Sequence, residues 1–530
     1  MAKTRQETLT ELRNHTDPFD VVVVGGGITG AGVAREAAGS GLRTLLVEQK
    51  DFAWGTSSRS SKMVHGGLRY LGSGHIGLTR QAVRERQRLM KEAPGLVDPM
   101  PFLMPHFRGK FPGPRVFQTL LAVYDKLAGV RTRERLTPAE TLQWVPGLVN
   151  NDLISASRFT DALTDDARLV QRLIAEAKRD GATCLNYVAA SGITRDADGQ
   201  VTGIDITPEG EPAENSIHIS SKRVINATGA WADRLQKQGP HENPLHIRPL
   251  RGSHLVLPWQ RLPVTCAVSL LHPDDGRPVF AFPWRGTTVL GTTDLDHKED
   301  LDLEPSITQA EVDYLLKVSS KLFPGSGVKA HDVLSSWAGV RPVVTSGEGK
   351  SPSEENREHT LRSHNGLVSV AGGKLTTFRQ IARESLVAAF EGDSSVLRDD
   401  RAPVFTAPPE APKNTTFSKL TWNRLKGFYG HELSSMLAGT THDYVEGTTT
   451  LWAELEWACT HEQVIHLDDL LLRRTRLGLV CPKGAEKFLP ALRQRCQPLL
   501  GWSDTQWQQE VDRYRALYRQ SYSLPTTGAA

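Results

Sequence analysis

The chain of 530 residues predicts an α/β domain, an antiparallel sheet domain and an all-α C-terminal domain. The apolar run Val21–Val24 is typical of a strand buried on both faces of a parallel sheet, and a helical pattern follows over 31–38. Alternating segments such as HLVLP and PVFAFPW, between about 240 and 335, indicate antiparallel strands. From 414 onward the apolar residues recur at helical spacing.

Three glycines join the first strand to the first helix in G-x-G-x-x-G register. Gly25 permits a tight turn, Gly27 lets a pyrophosphate approach the backbone, and Gly30 lets helix and strand pack closely. The N-terminus of the helix offers free N–H groups and the positive end of a dipole to phosphates. The motif therefore predicts a dinucleotide-binding turn.

A carboxylate stands at the expected distance from this turn. Glu48 ends a second apolar run, Thr44–Val47, where such a side chain meets a ribose hydroxyl. An acidic residue here argues against a 2′-phosphate and therefore against NADP. The motif itself fits FAD and NAD equally well. Its position near the N-terminus, and the residues that follow it, favour FAD.

The residues after Glu48 are rich in chemistry and poor in core formers. The hydroxyl residues between Thr56 and Ser61 offer short donors and acceptors for a ribityl chain or a pyrophosphate. His65, Arg69 and Tyr70 then bring a base, a fixed cation and a phenol within six positions. Arg59 is expected to be a solvated arginine of a polar loop.

Composition describes an ordinary globular protein, with 39% hydrophobic and 23% charged residues. The five cysteines form no C-x-x-C pair, which excludes the usual zinc patterns, predicts no metal site and suits a reducing cytoplasm. We expect all five to be small buried side chains. We find no signal peptide and no 18-residue apolar run. A formal charge of +3 does not call for a nucleic-acid partner.

The pattern divides the chain into a discontinuous nucleotide-binding domain with insertions. Within that domain we expect a helix over 167–180, a strand over 184–188, a hairpin of 201–206 with 216–219, strands over 223–229 and 366–373, and a helix over 375–390. The predicted boundaries are 19–75, 150–235 and 335–390 for the nucleotide-binding domain, 76–149 for a helical and basic segment, 236–334 for the substrate-binding sheet, 391–413 for a proline-rich linker and 414–530 for the helical domain.

Six motifs together resemble one family, the FAD-dependent glycerol-3-phosphate dehydrogenases. They are SSKMVHGGLRYL (60–71), IRPLRGSHLVLP (247–258), GTTD (291–294), GVRP (339–342), AGGKLTTFRQIA (371–382) and DLLLRRTRLG (469–478). The resemblance extends from about Phe19 to the end of the chain. It implies FAD as the cofactor and a FAD-binding fold like that of glutathione reductase and D-amino-acid oxidase.

Oxidation of an alcohol requires a base for the hydroxyl proton and an acceptor for the hydride, which a flavin provides at N5. His65 and His254 lie in family motifs and are the candidate bases, although His254 also suits a buried core histidine. The resemblance implies Arg341 as an active-site cation, and a salt bridge is the alternative for it. Lys374 is expected at the start of a helix near the flavin, where a cation stabilises negative charge on the reduced ring. Arg69, Tyr70 and Thr293 are the expected substrate-binding residues, with Arg69 in the phosphate clamp.

The residues expected to bind the cofactor come from the same motifs and from the strands of the nucleotide-binding domain. They are Gly25, Gly27, Ile28, Thr29, Gly30, Glu48, Gln49, Thr56, Ser57, Ser60, Lys62, Val64, Val188, Ala227, Gly229, Gly373, Lys374, Leu375 and Thr376.

The resemblance implies oxidation of sn-glycerol 3-phosphate to dihydroxyacetone phosphate, with hydride transfer from C2 to flavin N5. The oxidase branch of the family carries a long insertion between GVRP and GGKLTT. Arg341 and Lys374 are only 33 positions apart here (374 − 341), so we expect a respiratory quinone as electron acceptor. Two alternatives are an amino-acid or amine oxidoreductase of the same fold and a non-catalytic dinucleotide-binding protein.

A quinone acceptor predicts docking on a membrane surface. The segment 106–136 contains seven Lys or Arg residues against Asp125 and Glu134, interleaved with aromatic residues and leucines. It suits the anionic inner face of the cytoplasmic membrane, and equally an amphipathic helix with a solvated basic face. We therefore expect a cytoplasmic, peripheral protein. The oligomeric state stays open, with a homodimer as one option.

Overall fold

The computed structural model describes residues 4–14, 16–72, 74–236, 245–345, 358–410 and 417–525. The strands are β1 (Val21–Val24), β2 (Thr44–Glu48), β3 (Met63–Val64), β4 (Val97–Phe107), β5 (Glu134–Leu136), β6 (Leu153–Thr164), β7 (Thr183–Asn186), β8 (Val188–Arg195), β9 (Val201–Pro208), β10 (Ile217–Ser220), β11 (Val224–Asn226), β12 (Ile247–Pro258), β13 (Ala267–Leu271), β14 (Pro278–Trp284), β15 (Thr287–Gly291), β16 (Leu295–Asp296), β17 (Ser335–Val344), β18 (Thr360–His364) and β19 (Leu367–Ala371).

The helices alternate with strands in the first part of the chain and form the last part. They are α1 (Arg5–Arg13), α2 (Ile28–Gly39), α3 (Leu68–Gly72), α4 (Ile76–Glu92), α5 (Pro114–Ala128), α6 (Pro138–Trp144), α7 (Asp166–Arg179), α8 (Ala232–Gln236), α9 (Gln309–Leu322), α10 (Phe378–Ala389), α11 (Lys419–Tyr429), α12 (Leu433–Leu437), α13 (Trp452–His461), α14 (Leu477–Val480), α15 (Leu489–Leu500) and α16 (Asp504–Ser521), with a π-helical turn over Asp469–Arg474.

The first sheet has the order β18-β19-β11-β1-β2-β7. All its strands are parallel except β18, which pairs with β19 antiparallel at the edge. All four valines of β1 are buried, as an apolar strand covered on both faces requires. Helices α2, α7 and α10 contribute apolar side chains to the core beside this sheet. The sheet thus presents the carboxyl ends of β1 and β11, where such folds bind nucleotides.

The predicted strand over 184–188 is interrupted. Tyr187 adopts a φ of +53°, in the left-handed region, and this residue separates β7 from β8. Strand β8 then leaves the parallel sheet and pairs antiparallel with β9, which pairs with β10. The predicted hairpin is present as β9 and β10, with Ile206 opposite Ile217.

The ten-stranded sheet contains the predicted substrate-binding strands, and we call it the substrate-side sheet. It extends well beyond the predicted range 236–334. Its ten strands include β3, β4, β6 and β17, which lie outside that range. The segment 76–149, predicted as helical, contributes β4, which pairs with β6 along its length and with β13 in parallel. Local sequence patterns did not reveal these pairings, because the partners come from distant parts of the chain.

The C-terminal helices pack on the substrate-side sheet. Ser335 Oγ donates to Leu479 O at 2.6 Å, Ser336 N donates to Tyr522 O at 2.9 Å, and Tyr518 hydroxyl donates to Leu334 O at 2.9 Å. These bonds attach α14 and the end of α16 to the start of β17. All five cysteines are buried and free, as predicted. Within the described ranges, no helix combines the length and apolarity needed to cross a bilayer.

Candidate active site

The glycine turn after β1 is closed to side chains at two positions. Gly25 has a φ of +111°, and a Cβ there would lie 2.6 Å from Ala227 O. A Cβ on Gly30 would lie 1.8 Å from Gly25 O, because α2 passes directly over the turn. Only glycine satisfies both positions without moving the backbone. The turn therefore has the close helix–strand packing that a dinucleotide cradle needs.

The first turn of α2 faces the hydroxyl loop. Ser57 Oγ accepts a hydrogen bond from Ile28 N at 2.9 Å, and a Cβ on Gly27 would lie 3.1 Å from the same oxygen. Thr56 hydroxyl donates to Val340 O. Thr29 follows Ile28 in the same turn, where the N–H groups have no intrahelical acceptor. The donors and the missing side chains fit a pyrophosphate.

Glu48 stands at the end of β2 and contacts the turn directly. Its carboxylate accepts from Gly26 N at 2.6 Å and from Lys50 N at 2.9 Å. Burial raises the pKa of Glu48, while these two bonds act in the opposite direction. Gln49 is exposed beside it. The structure therefore positions Glu48 beside the glycine turn, and its contact with a ribose stays a prediction.

Ser60 and Lys62, predicted as cofactor ligands, are held by Asp166 at the start of α7. Ser60 N and Oγ donate to one carboxylate oxygen at 3.0 and 2.7 Å. Lys62 Nζ donates to both oxygens at 2.9 Å and to Ser58 O at 2.6 Å. Burial lowers the pKa of Lys62 to about 8. These bonds shape the loop, and direct contacts with the cofactor stay predictions.

The expectation that Arg59 is solvated is wrong. Its side chain is buried, pairs with Glu304 and donates from Nε to Tyr522 hydroxyl at 3.3 Å. The guanidinium also lies over the Trp54 ring, 5.0 Å from its centroid. Glu304 and Tyr522 lie 245 and 463 positions from Arg59 in sequence, so no local pattern predicts these contacts.

His254 lies in the wall between the loop and the substrate-side sheet. Its Nε2 is 2.9 Å from Ser61 Oγ, and its ring stacks on Trp337 at a centroid distance of 4.9 Å. Within the described chain, Nδ1 has no hydrogen-bond partner. Burial lowers the pKa of His254 well below the usual value, and the charges of Lys62 and Arg341 add to this. A base with so low a pKa holds a proton weakly.

Arg341 on β17 is an anchored cation. Its Nη1 donates to Asp294 at 2.8 Å, and its Nη2 donates to Thr292 Oγ1 at 3.3 Å. Asp294 is almost fully buried and also pairs with Arg277 at 3.0 Å. The side chain of Arg341 keeps 23% of its surface exposed. The predicted salt bridge therefore exists, and the side chain of Arg341 remains partly accessible.

Thr293 is buried, and its hydroxyl bonds within the protein. Its hydroxyl donates to Glu311 at 2.7 Å and accepts from Ser253 N at 2.9 Å. Its neighbour Asp294, the last residue of the GTTD motif, is a site residue without a local signal, because its partner Arg341 lies 47 positions away. A substrate contact of Thr293 stays a prediction.

The HGGLRY and GGKLTT motifs meet at a second cluster of candidate residues. Lys374 Nζ lies 3.4 Å from the centroid of the Tyr70 ring, a cation–π contact. Thr376 hydroxyl donates to His65 O at 3.2 Å, and Gly67 N donates to His65 Nδ1 at 3.2 Å. The side chain of Arg69 lies outside the described residues. The structure thus brings together His65, Tyr70 and Lys374 from segments 300 positions apart.

Residues 61–65 connect this cluster with His254, because Ser61 contacts His254 and His65 belongs to the cluster. The remaining predicted cofactor ligands lie in or next to strands of all three sheets. Val64 is buried in β3, Val188 begins β8, Ala227 N bonds Val24 O at 2.9 Å, Gly229 and Gly373 have φ values of +63° and +84°, and Leu375 begins the 3-10 turn before α10.

Comparison with known proteins identifies the fold. Residues 20–379 match the family described as FAD dependent oxidoreductase, and residues 373–507 match the C-terminal domain of alpha-glycerophosphate oxidase. The chain is 38% identical over 384 residues to the aerobic glycerol-3-phosphate dehydrogenase of Staphylococcus saprophyticus, covering 72% of this chain and 68% of that protein. It is 38% identical over 382 residues to the Bacillus subtilis protein of the same name, covering 71% and 67%.

A solved structure agrees with these relatives. The glycerol-3-phosphate dehydrogenase from Bacillus halodurans, complexed with FAD, superposes with a TM-score of 0.76 and 26% identity over 98% of this chain and 97% of that one. The predicted fold class and the predicted cofactor, FAD, are therefore confirmed. The chain belongs to the FAD-dependent oxidoreductases, in the family of the glycerol-3-phosphate dehydrogenases.

Proposed function

We propose that the protein oxidises sn-glycerol 3-phosphate to dihydroxyacetone phosphate. The observation that carries the proposal is the pair of anchored cations, Arg341 on Asp294 and Lys374 on Tyr70, beside the FAD cradle. A phosphate dianion needs such fixed positive charge, and arginine offers two parallel donors to it. The relatives named as glycerol-3-phosphate dehydrogenases support the same substrate.

FAD, when bound, supplies a hydride acceptor at N5. The protein binds and orients the substrate so that C2 faces that atom and the hydroxyl faces a base. We favour His65 as the base, because burial lowers the pKa of His254 well below its usual value. The Gly67 N–H bond to Nδ1 of His65 is long, at 3.2 Å, so a substrate hydroxyl replaces it at small cost. Lys374 then stabilises negative charge that develops nearby.

The test is anaerobic titration of the purified yellow protein. We expect sn-glycerol 3-phosphate to bleach the visible flavin absorbance, and glycerol at the same concentration to leave it unchanged. Bleaching by amino acids or amines alone supports the amino-acid oxidoreductase instead. A flavin band that no substrate of either class reduces supports the non-catalytic alternative.

Arg341→Ala tests the phosphate contact within this reaction. We expect KM for sn-glycerol 3-phosphate to rise strongly and kcat to fall, because the variant removes a fixed cation. Unchanged kinetics would remove Arg341 from the site.

For the electrons we propose a membrane quinone as acceptor. The chain between Arg341 and Lys374 is short, and the relatives carry the word aerobic in their names. The reduced protein should be reoxidised faster by a short-chain quinone than by air-saturated buffer. Faster reoxidation by oxygen, with stoichiometric hydrogen peroxide, would contradict the quinone.

We propose that the exposed side of α5 docks on the membrane. Phe111 exposes 78% of its surface, and Val116 and Val123 expose 47% and 40%. The opposite side of α5 packs inward through Leu121 and Tyr124. The segment 106–136 also exposes six basic residues: Arg108, Lys110, Arg115, Lys126, Arg131 and Arg135. Each basic residue near an anionic surface contributes about 1 kcal/mol to binding.

Liposome sedimentation at physiological salt tests this surface. We expect the protein to bind anionic vesicles, and the double variant Phe111→Ser, Val123→Ser to bind them much less. Leu420→Ser is the matched control, because Leu420 on α11 is also 78% exposed but lies in the C-terminal domain. A wild-type protein that stays in the supernatant would exclude the docking surface.

A further inference from the structure

Two buried carboxylates at the start of α7 support the loop 58–62. Asp166 holds Ser60 and Lys62, as described above, and Asp165 lies next to it as the N-cap of α7. Both side chains are essentially fully buried. Two adjacent carboxylates in such surroundings are costly unless cations and hydrogen bonds compensate them.

The C-terminal domain supplies the cation that joins both carboxylates. Arg476 Nε donates to Asp165 at 3.0 Å, and its Nη2 donates to Asp166 at 2.5 Å. Its Nη1 donates to Ser58 O at 3.2 Å, which belongs to the loop itself, and to Leu472 O at 2.8 Å. Arg476 is only 1% exposed and has a φ of +65°. One guanidinium thus connects the loop with the two residues that support it.

The supported loop leads directly to the substrate side. Ser61 lies between Ser60 and Lys62 and contacts His254 Nε2 at 2.9 Å. Lys62 Nζ lies 4.6 Å from the centroid of the Trp337 ring, on which His254 stacks. A displacement of Asp166 would therefore move the wall that contains His254.

We propose that Arg476 is a positioning residue for the active site, which fixes the loop 58–62 through Asp165 and Asp166. The proposal rests on the function proposed above. It gives the C-terminal domain a part in the reaction, since Arg476 lies 310 positions from Asp166 and contacts it across the domain boundary.

The geometry requires an arginine. Three nitrogens of the guanidinium donate to acceptors in four residues at fixed angles, whereas a lysine ammonium is a single point charge. We expect Arg476→Lys to keep the charge and lose part of the alignment. Arg476→Gln removes the charge as well, and it leaves Asp166 with Lys62 and Asp165 with Arg285, with no cation that joins the two carboxylates to the loop.

Steady-state kinetics of both variants test the proposal. Because small displacements in an active site cost up to about a hundredfold in rate, we expect kcat/KM to fall about ten- to a hundredfold in Arg476→Gln. Arg476→Lys should recover part of this loss. Most of the loss should lie in kcat, because the substrate's cations at Arg341 and Lys374 are unchanged.

Glu462→Gln is the control for mere loss of stability. Glu462 is a C-terminal residue that pairs with Arg168 of α7 at 2.8 and 2.9 Å, a buried ion pair across the same boundary. We expect it to lower Tm while kcat and KM stay within twofold of wild type. If Arg476→Gln does no more than this at an equal loss of Tm, Arg476 is only structural and the proposal is wrong.

Failure of the Arg476 proposal and failure of the proposed function give different results. If Arg476→Gln does not fold, Arg476→Lys decides, and wild-type kcat/KM in that variant, measured well below its Tm, would overturn the proposal. If wild-type flavin is not bleached by sn-glycerol 3-phosphate, the proposed function fails first, independently of Arg476.

Discussion

Replacement of Asp294 by asparagine should weaken the proposed phosphate contact of Arg341 while Arg341 itself is unchanged. Asp294 is buried and accepts from Arg341 at 2.8 Å and from Arg277 at 3.0 Å. Asp294→Asn keeps the shape and removes the charge from both pairs. A hydrogen bond to a charged partner contributes about 1.5–3 kcal/mol, roughly twice a neutral one. The change therefore costs the orientation of Arg341 about 1–2 kcal/mol.

At 1.36 kcal/mol for each factor of ten, this cost corresponds to a fall of about 5- to 30-fold in kcat/KM. The assay is oxidation of sn-glycerol 3-phosphate coupled to an artificial electron acceptor, with KM and kcat determined separately. We expect KM to carry most of the change, because the proposed contact of Arg341 with the phosphate forms in the ground state as well.

The matched control lies two residues further on. Asp296 pairs with Arg248 at 2.7 Å, but its side chain is 43% exposed, and exposed ion pairs contribute about 0–1 kcal/mol. Asp296→Asn should stay within twofold of wild type. If Asp294→Asn matches this control in kcat/KM, the buried carboxylate does not organise Arg341 and our reasoning about the site is wrong.

Two further predictions concern the cofactor and the domain boundary. Gly25→Ala should abolish the FAD absorbance of the purified protein, because φ is +111° and the new Cβ would lie 2.6 Å from a carbonyl oxygen. The control Gly41→Ala, at a φ of +82° with open space around the new Cβ, should retain the absorbance. Equal FAD content in the two variants would contradict the proposed role of the glycine turn. Burial lowers the pKa of His466, but hydrogen bonds to Glu209 and Glu510 outweigh it and raise the pKa to about 10. Because the folded pKa exceeds the unfolded value of about 6.5, the stabilisation by His466 is complete below pH 6.5 and is lost as pH rises towards 10. Between pH 6.5 and 9.5, the Tm of wild type should therefore fall more than the Tm of His466→Gln. Parallel losses of Tm would refute the linkage.

The sequence was most informative where short-range periodicity and glycine spacing decide the structure. Strand β1, the turn at Gly25 and helix α7 follow from patterns within a few residues, and the structure contains all three. The meeting of the HGGLRY and GGKLTT motifs was implied by the family resemblance, since residue spacing alone gives no distance between them.

The errors arose where long-range contacts override local pattern. Arg59 sits in a polar loop and is nevertheless buried by Glu304 and Tyr522. Strand β4 was not predicted and its segment was predicted as helical, because its partner strand β6 lies about 50 positions away in sequence. Arg476 lies in the DLLLRRTRLG motif, but nothing near it in sequence indicates that it reaches Asp166.

Rapid mixing of the oxidised protein with sn-glycerol 3-phosphate, under anaerobic conditions and with protium or deuterium at C2, tests the central claim most directly. We predict that the flavin absorbance disappears in a single saturable phase and that deuterium slows this phase, because the C2–H bond breaks as the cofactor is reduced. Flavin absorbance that excess sn-glycerol 3-phosphate leaves unchanged, or that glycerol removes equally fast, would contradict a phosphate-binding site beside a redox-active FAD.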